Sequence, residues 1–284
     1  MPEFLSCLLP FKNPLLNYAL LAGILSSVCF GIIGSFVVVK RISSIAGSIA
    51  HSSLAGIGLA LFLQYNLGVK WFTPLIGILV SALVSALIIG LVNLYASQRE
   101  DTVIGAVWAI GMALGLLFIF YTRRDKDAMS YLFGDILFIS LSDLLIIIVL
   151  DGLVIGLCLL FYHKLLAVSF DQEFAKLRGV RVEVYYMLLL FLTALTVVLM
   201  ATIVGILLVI ALLTIPAAIA GLFSRKLWKM MIIAALLCLV FTVSGLVISH
   251  IFDLYAGPVI ILLAGGTYIM ALFFNRFKSR LTKT

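Results

Sequence analysis

The chain predicts an all-α membrane protein: a polytopic helical bundle of about nine transmembrane helices (eight to ten) with one short helix on the cytoplasmic side. Three observations predict it. Hydrophobic residues make up 64% of the 284 residues and charged residues 11%, against about 25% charged in soluble domains. The mean hydropathy is +1.30. The apolar residues come in runs of about twenty, the length that crosses a bilayer as a helix, and not in the short alternating segments of a membrane β-barrel. Residues 1–284 read as one transmembrane domain.

The first residues, MPEFLSCLLPFKNP, lack the basic start of a cleavable signal, and a short interfacial helix is expected there. Nine apolar runs follow, at 15–39, 45–63, 73–95, 102–121, 141–162, 185–203, 205–223, 230–249 and 258–274. Residues 185–223 are apolar almost throughout, too long for one span, and a tight turn at Ile203–Gly205 divides them. Pro216, in LLTIPAAIAG, is expected to break the seventh run and free a carbonyl one turn earlier.

The loops set the orientation. With the N-terminus outside and the C-terminus cytoplasmic, 14 of the 19 Lys and Arg residues fall on the inner side, as the positive-inside rule requires. The net charge of +7 therefore belongs to the cytoplasmic loops and is not a nucleic-acid signal. Cys7, Cys29, Cys158 and Cys238 are scattered singly, which excludes a C-x-x-C redox or zinc motif.

Two loops carry more than a connection. On the outer side, residues 122–140 (TRRDKDAMSYLFGDILFIS) mix charge with aromatics; they read either as a solvated loop with an interfacial anchor or as a surface for a soluble partner. On the inner side, Phe170 to Arg178 predicts a short amphipathic helix. Phe170, Phe174 and Leu177 lie on one face, Asp171, Glu173, Lys176 and Arg178 lie elsewhere, and Gly179 supplies the stop. Such a helix either docks into a soluble partner or lies on the lipid headgroups.

His51 is the most informative intramembrane residue. It lies in KRISSIAGSIAHSSLAGIGLALFL, about 15 Å from the basic pair Lys40-Arg41 at 1.5 Å per residue, which is near the midplane of a hydrocarbon core about 30 Å thick. Gly47 and Ala55 stand four positions either side, and Ser48, Ser52 and Gly56 form the neighbouring stripe, so other helices can approach closely. A neutral imidazole there is either a hydrogen-bonded packing residue or a ligand for a transition metal. Asp151, in VLDGLVIG, sits mid-run, where a carboxylate must be protonated, paired or wet. His250 and Asp253, in SHIFDLYAGP, share a helical face if the helix persists, a spacing that suits a hydrogen-bonded pair or a divalent ion. The chain contains no G-x-x-x-x-G-K-[ST] phosphate loop, no G-x-S-x-G and no H-E-x-x-H, so an enzyme is not expected.

Taken in order, VVVKRISSIAGSIAHSSLAGIGLA, EDTVIGAVWAIGMALGLL, YLFGDIL, FDQEFAKLRGV, VGILLVIALLTIPAAIA and DLYAGPVIILL resemble the membrane permease subunits of bacterial ABC importers for zinc, manganese or iron, the ABC-3 family. The resemblance covers nearly the whole chain. It implies a permease homodimer in the bacterial inner membrane, an ATPase dimer docked from the cytoplasm and an extracytoplasmic metal-binding protein. It implies no permanently bound cofactor, only a divalent metal in transit, with ATP hydrolysed by the separate subunit. The family's membrane histidine matches His51. Many members carry an aspartate four residues earlier, a position held here by Gly47, so the second ligand is absent from this turn, and Asp151 is a candidate replacement. A site poor in oxygen ligands leans toward zinc rather than manganese. FDQEFAKLRGV corresponds to the segment that contacts the ATPase, which gives Phe170, Asp171, Glu173, Phe174, Ala175 and Gly179 a coupling role.

Other classes remain as rivals. An ion-coupled secondary transporter would use His51 and Asp151 as a relay. A permease for a metal chelate would need a wide, aromatic-lined pathway. A scaffold would have no gated cavity.

Overall fold

The computed structural model describes residues 14–95, 99–122, 141–201 and 205–281. The segments before Pro14 and over 123–140, for which an interfacial helix and a partner-facing loop are expected, lie outside the described residues. In chain order the helices are α1 (Pro14–Lys40), α2 (Ser43–Asn66), α3 (Pro74–Tyr95), α4 (Glu100–Tyr121), α5 (Leu141–Leu160), α6 (Tyr162–Phe170), α7 (Gln172–Leu177), α8 (Val182–Ala201), α9 (Ile206–Phe223), α10 (Leu227–Phe252) and α11 (Ala256–Leu281). Seven of them are long and apolar enough to cross a membrane, and the bent pair α5–α6 makes an eighth. Within α8, Val182–Val198 is a shorter apolar stretch. The apolar runs thus fall on these helices, the fifth reaching across the bend into α6.

The connections follow from local chemistry. α1 ends in a reversal in which Arg41 takes a left-handed backbone (φ 62°) and the Ile42 amide reaches back to the Val37 carbonyl at 3.0 Å. A side chain in that conformation costs roughly 1–2 kcal/mol, so the tight return into α2 is held against strain. Gly205 takes a positive φ (89°) as it opens α9; the rest of the turn expected at Ile203–Gly205 lies outside the described residues.

Three expectations need correction. Pro216 does not break its run, because α9 passes through it. The carbonyl that proline deprives of a partner, that of Leu212, instead accepts the Cys238 thiol of α10 at 3.3 Å. The fifth run does not end at residue 162, because α6 continues it to Phe170 after a 73° bend at Phe161. The predicted helix over Phe170–Arg178 is also shorter: Phe170 is the last residue of α6, and α7 covers only Gln172–Leu177.

α2 is the central helix. Of its span 83% is buried, against 22% for α4 and 17% for α11. It packs on α4 and α3, and further contacts reach α8 and α9. Glycines allow this: a Cβ on Gly111 would lie 2.5 Å from Ser52 Cα, and one on Gly115 would lie 2.6 Å from the Leu54 carbonyl carbon. The α2–α4 contacts advance together, from Ser48 with Ile104, through His51 with Trp108, to Asn66 with Tyr121. The two helices therefore run parallel, as two spans separated by one return crossing must.

Candidate functional site

His51 lies eight residues into α2, about 12 Å from its start at 1.5 Å per residue. In a 24-residue helix that is on the N-terminal side of the midpoint, about one turn short of the midplane depth that the distance from Lys40-Arg41 predicts. The side chain is 8% exposed. Its ring stacks on the indole of Trp108 from α4, with centroids 4.5 Å apart and planes 7° from parallel. Nδ1 has no hydrogen-bond partner among the described residues.

The polar neighbours of His51 are committed elsewhere. Ser48 Oγ donates to the Ile104 carbonyl at 2.9 Å, and Ser52 Oγ donates to Ser85 Oγ of α3 at 2.7 Å. These bonds fix α2 against α4 and α3 on the turns either side of the histidine. A Cβ on Gly47, one turn earlier, would meet nothing within 4 Å, and the same holds for Gly105 on α4. Where relatives are expected to carry an aspartate, this chain therefore has room for one. The arrangement is an intramembrane nitrogen donor with a fixed ring plane and open space beside its helix turn.

Asp151 does not complete that site. Its helix α5 packs on α1 and α8, whereas α2 packs on α3 and α4. Asp151 is 4% exposed, neither carboxylate oxygen has a hydrogen-bond partner among the described residues, and it faces Cys29 of α1. The Cys29 thiol lies 3.5 Å from Thr196 Oγ1 of α8. A relay joining His51 to Asp151 is thus not brought together.

His250 and Asp253 do not share a helical face either. α10 ends at Phe252, and Asp253 turns left-handed (φ 52°) as its cap. The Leu254 amide then closes on the Ser249 carbonyl at 3.0 Å. Both residues are exposed. No group of three or more His, Cys, Asp or Glu side chains able to hold a metal occurs among the described residues.

The coupling candidates are brought together. Asp171 closes α6 and caps α7: its amide donates to the Ala167 carbonyl, and its carboxylate accepts the Phe174 amide at 3.0 Å. Gly179 ends α7 in a left-handed turn (φ 74°), with the Val180 amide on the Ala175 carbonyl. Ala175 is buried against the bundle, while Phe170, Phe174 and Leu177 are exposed. Glu173 is exposed too, and Arg178 lies 5.1 Å over the Phe174 ring. A Lys176–Glu183 ion pair at 3.2 Å ties α7 to α8.

Sequence reasoning missed two features. Trp108 was visible only as the one aromatic in GAVWAIGM, at the same distance into its helix as His51 is into α2. The other is a polar cavity of about 300 Å³, lined by Lys40, Arg41, Asn93, Glu100, Gln172 and Tyr186. There Asn93 Nδ2 donates to Glu100 Oε1 at 2.6 Å and to Tyr186 Oη at 2.5 Å. It gathers the ends of five helices, and no short motif marks it.

Residues 12–275 match the model of the ABC 3 transport family. The chain is 39% identical over 273 residues to the "Probable metal transport system membrane protein" of Chlamydia trachomatis, covering 96% of this chain and 93% of that one. It is 35% identical to the manganese transport system membrane protein MntC of Listeria monocytogenes, covering 91% and 90%. Identity to the high-affinity zinc uptake system membrane protein ZnuB of Haemophilus influenzae is 31%, covering 90% and 95%. Among solved structures, PsaBC from Streptococcus pneumoniae in complex with Fab matches with a TM-score of 0.82 at 30% identity, over 95% of this chain and 94% of that chain.

Proposed function

The chain belongs to the ABC 3 transport family, and from this premise we propose that it is the permease subunit of an importer that moves a divalent transition metal into the cytoplasm. His51 is the ligand the ion meets inside the membrane. The observation that carries the reading is a buried imidazole with an unpartnered Nδ1, seated on the most buried span. A lone nitrogen holds an ion weakly, which suits a station that must also release it. The relatives named for manganese and for zinc support a divalent cargo. The absence of a carboxylate at Gly47 favours zinc, because manganese prefers oxygen ligands.

ATP is hydrolysed by a separate cytoplasmic subunit that docks on α7. The exposed Phe170, Phe174 and Leu177 beside exposed Glu173 support that surface, since three large apolar side chains there suit a partner better than water. The permease works as a homodimer with its N-terminus outside and its C-terminus inside, and an extracytoplasmic metal-binding protein supplies the ion. The excess of Lys and Arg on the inner loops supports this orientation.

Uptake of radioactive zinc and manganese by cells expressing the whole importer tests the metal role. His51→Leu should abolish uptake while the complex still assembles and hydrolyses ATP; normal uptake by that variant would overturn it. On the inner side, Glu173→Lys should leave the permease folded, because Glu173 is exposed, and uncouple hydrolysis from transport. Normal transport by Glu173→Lys would remove α7 from the coupling path.

A further inference from the structure

Trp108 is the largest group touching His51, and metal ligation alone gives it no task. Trp71 and Trp228 lie close to helix ends, where indoles anchor spans at the headgroups. Trp108 sits eight residues into α4, level with His51 and well below any headgroup. Its ring is held twice: the face lies on the imidazole at 4.5 Å, and the edge is fixed by Nε1 donating to Met112 Sδ at 3.0 Å, one turn onward.

An imidazole in a membrane span is drawn to rotate its free nitrogen onto the nearest polar group, because an unpaired polar atom in that medium is unfavourable. Rotation about its outer torsion is soft. No hydrogen bond joins the ring to Ser48 or Ser52, whose hydroxyls are donated to the Ile104 carbonyl and to Ser85. The stack is therefore the restraint that the structure shows on the ring plane.

We propose that Trp108 is a positioning residue for ion transfer: by stacking on His51 it fixes the imidazole plane and keeps Nδ1 available to the passing metal. The inference rests on the reading of His51 as a metal ligand. Its consequence is specific. Loss of the stack weakens capture of the ion but not the conformational cycle that follows, and any flat aromatic ring restores much of the effect.

The test is the concentration dependence of zinc uptake by cells carrying the whole importer. Trp108→Ala should raise the half-saturating concentration about tenfold with the maximal rate within about twofold, the pattern of lost ground-state positioning. Trp108→Phe should stay within about threefold of the parent, because it keeps an aromatic face. Equal behaviour of the Ala and Phe variants, or a loss confined to the maximal rate, would overturn the proposal. A second measurement does not depend on transport. In the full-length chain with Trp71→Phe and Trp228→Phe, held in lipid nanodiscs, zinc ions alone should change the Trp108 emission, and adding His51→Leu should remove the response. An emission indifferent to zinc while His51→Leu still abolishes uptake overturns the positioning role and leaves the metal reading intact. Normal uptake by His51→Leu overturns the metal reading, and the positioning role with it.

Discussion

His51 and Asp151 are both ionisable side chains carried deep into membrane-spanning helices, and both keep polar atoms without a hydrogen-bond partner among the described residues. Their surroundings differ. His51 sits among residues that are small or aromatic, its neighbours' hydroxyls are satisfied in pairs between helices, and its own helix turn leaves open space at Gly47. Asp151 faces Cys29, on a helix that packs against α1 and α8. Depth marks both residues as costly and so worth attention. Their neighbours separate them: the imidazole is stacked beside open space at its own helix turn, whereas the carboxylate sits on a helix packed against α1 and α8.

The sharpest way to break this contrast is to remove each side chain in turn. His51→Leu is expected to lower metal uptake to background, a loss of at least about a hundredfold if the ion has no other intramembrane ligand. Asp151→Leu is expected to leave uptake within about twofold, and to raise the midpoint of thermal denaturation in nanodiscs by a few degrees. The second effect follows because removing an unpaired buried polar group relieves about 1–3 kcal/mol. Asp151→Asn should fall between Asp151→Leu and the parent in stability, since the amide removes the charge but keeps polar atoms. Uptake abolished by Asp151→Leu with the fold intact would return Asp151 to the ion's path and undo the distinction.

Much of this contrast was beyond the reach of the sequence, for physical reasons. The spans were legible because hydrophobic length is a local property, and so was the stop at Gly179, where the left-handed backbone falls on glycine. His51 could be picked out by depth and by its small neighbours. Its ring partner could not, because Trp108 is brought to it by the parallel packing of α2 and α4. Asp151 and His51 look alike along the chain, and only helix packing assigns them to different neighbourhoods. Helix ends decided two further outcomes. Asp253 caps α10 in a left-handed conformation and so removes the face that a three-residue spacing would share with His250. Asp171 caps α7 and so leaves Phe170 to the preceding helix. The bend at Phe161 carries no proline or glycine to announce it.

A smaller effect sharpens the contrast from the other side. Gly47→Asp places a carboxylate one turn before His51, at a position where a Cβ meets nothing within 4 Å. The variant should fold, and it should shift uptake toward manganese by roughly fivefold relative to zinc, because the added oxygen ligand suits the harder ion. Competition between the two radioactive ions in the same cells reads the ratio directly. A fold that tolerates the aspartate with no change in the ratio would mean that the open space does not face the ion.

The smallest expected effect concerns a polar group that this membrane domain does satisfy. Proline at 216 removes the amide that would have met the Leu212 carbonyl, and the Cys238 thiol of α10 takes its place at 3.3 Å. Both groups are buried, so water cannot substitute for the thiol. Cys238→Ala should therefore lower stability by about 1 kcal/mol, the usual consequence of leaving one buried acceptor unpaired, with part of that loss due to the missing sulfur volume. Cys238→Ser separates the two causes: it keeps a donor while shrinking the side chain, and it should recover part of the loss if the bond matters. Uptake should not change in either variant, because α10 packs on α1, α9 and α11 and lies away from the α2–α4 seam. If Cys238→Ser is no better than Cys238→Ala, the thiol acts by filling space, and the helix tolerates the open carbonyl at Pro216 much as α5 tolerates Asp151. The difference between satisfied and unsatisfied polar groups would then be smaller inside this bundle than the contrast of His51 with Asp151 requires.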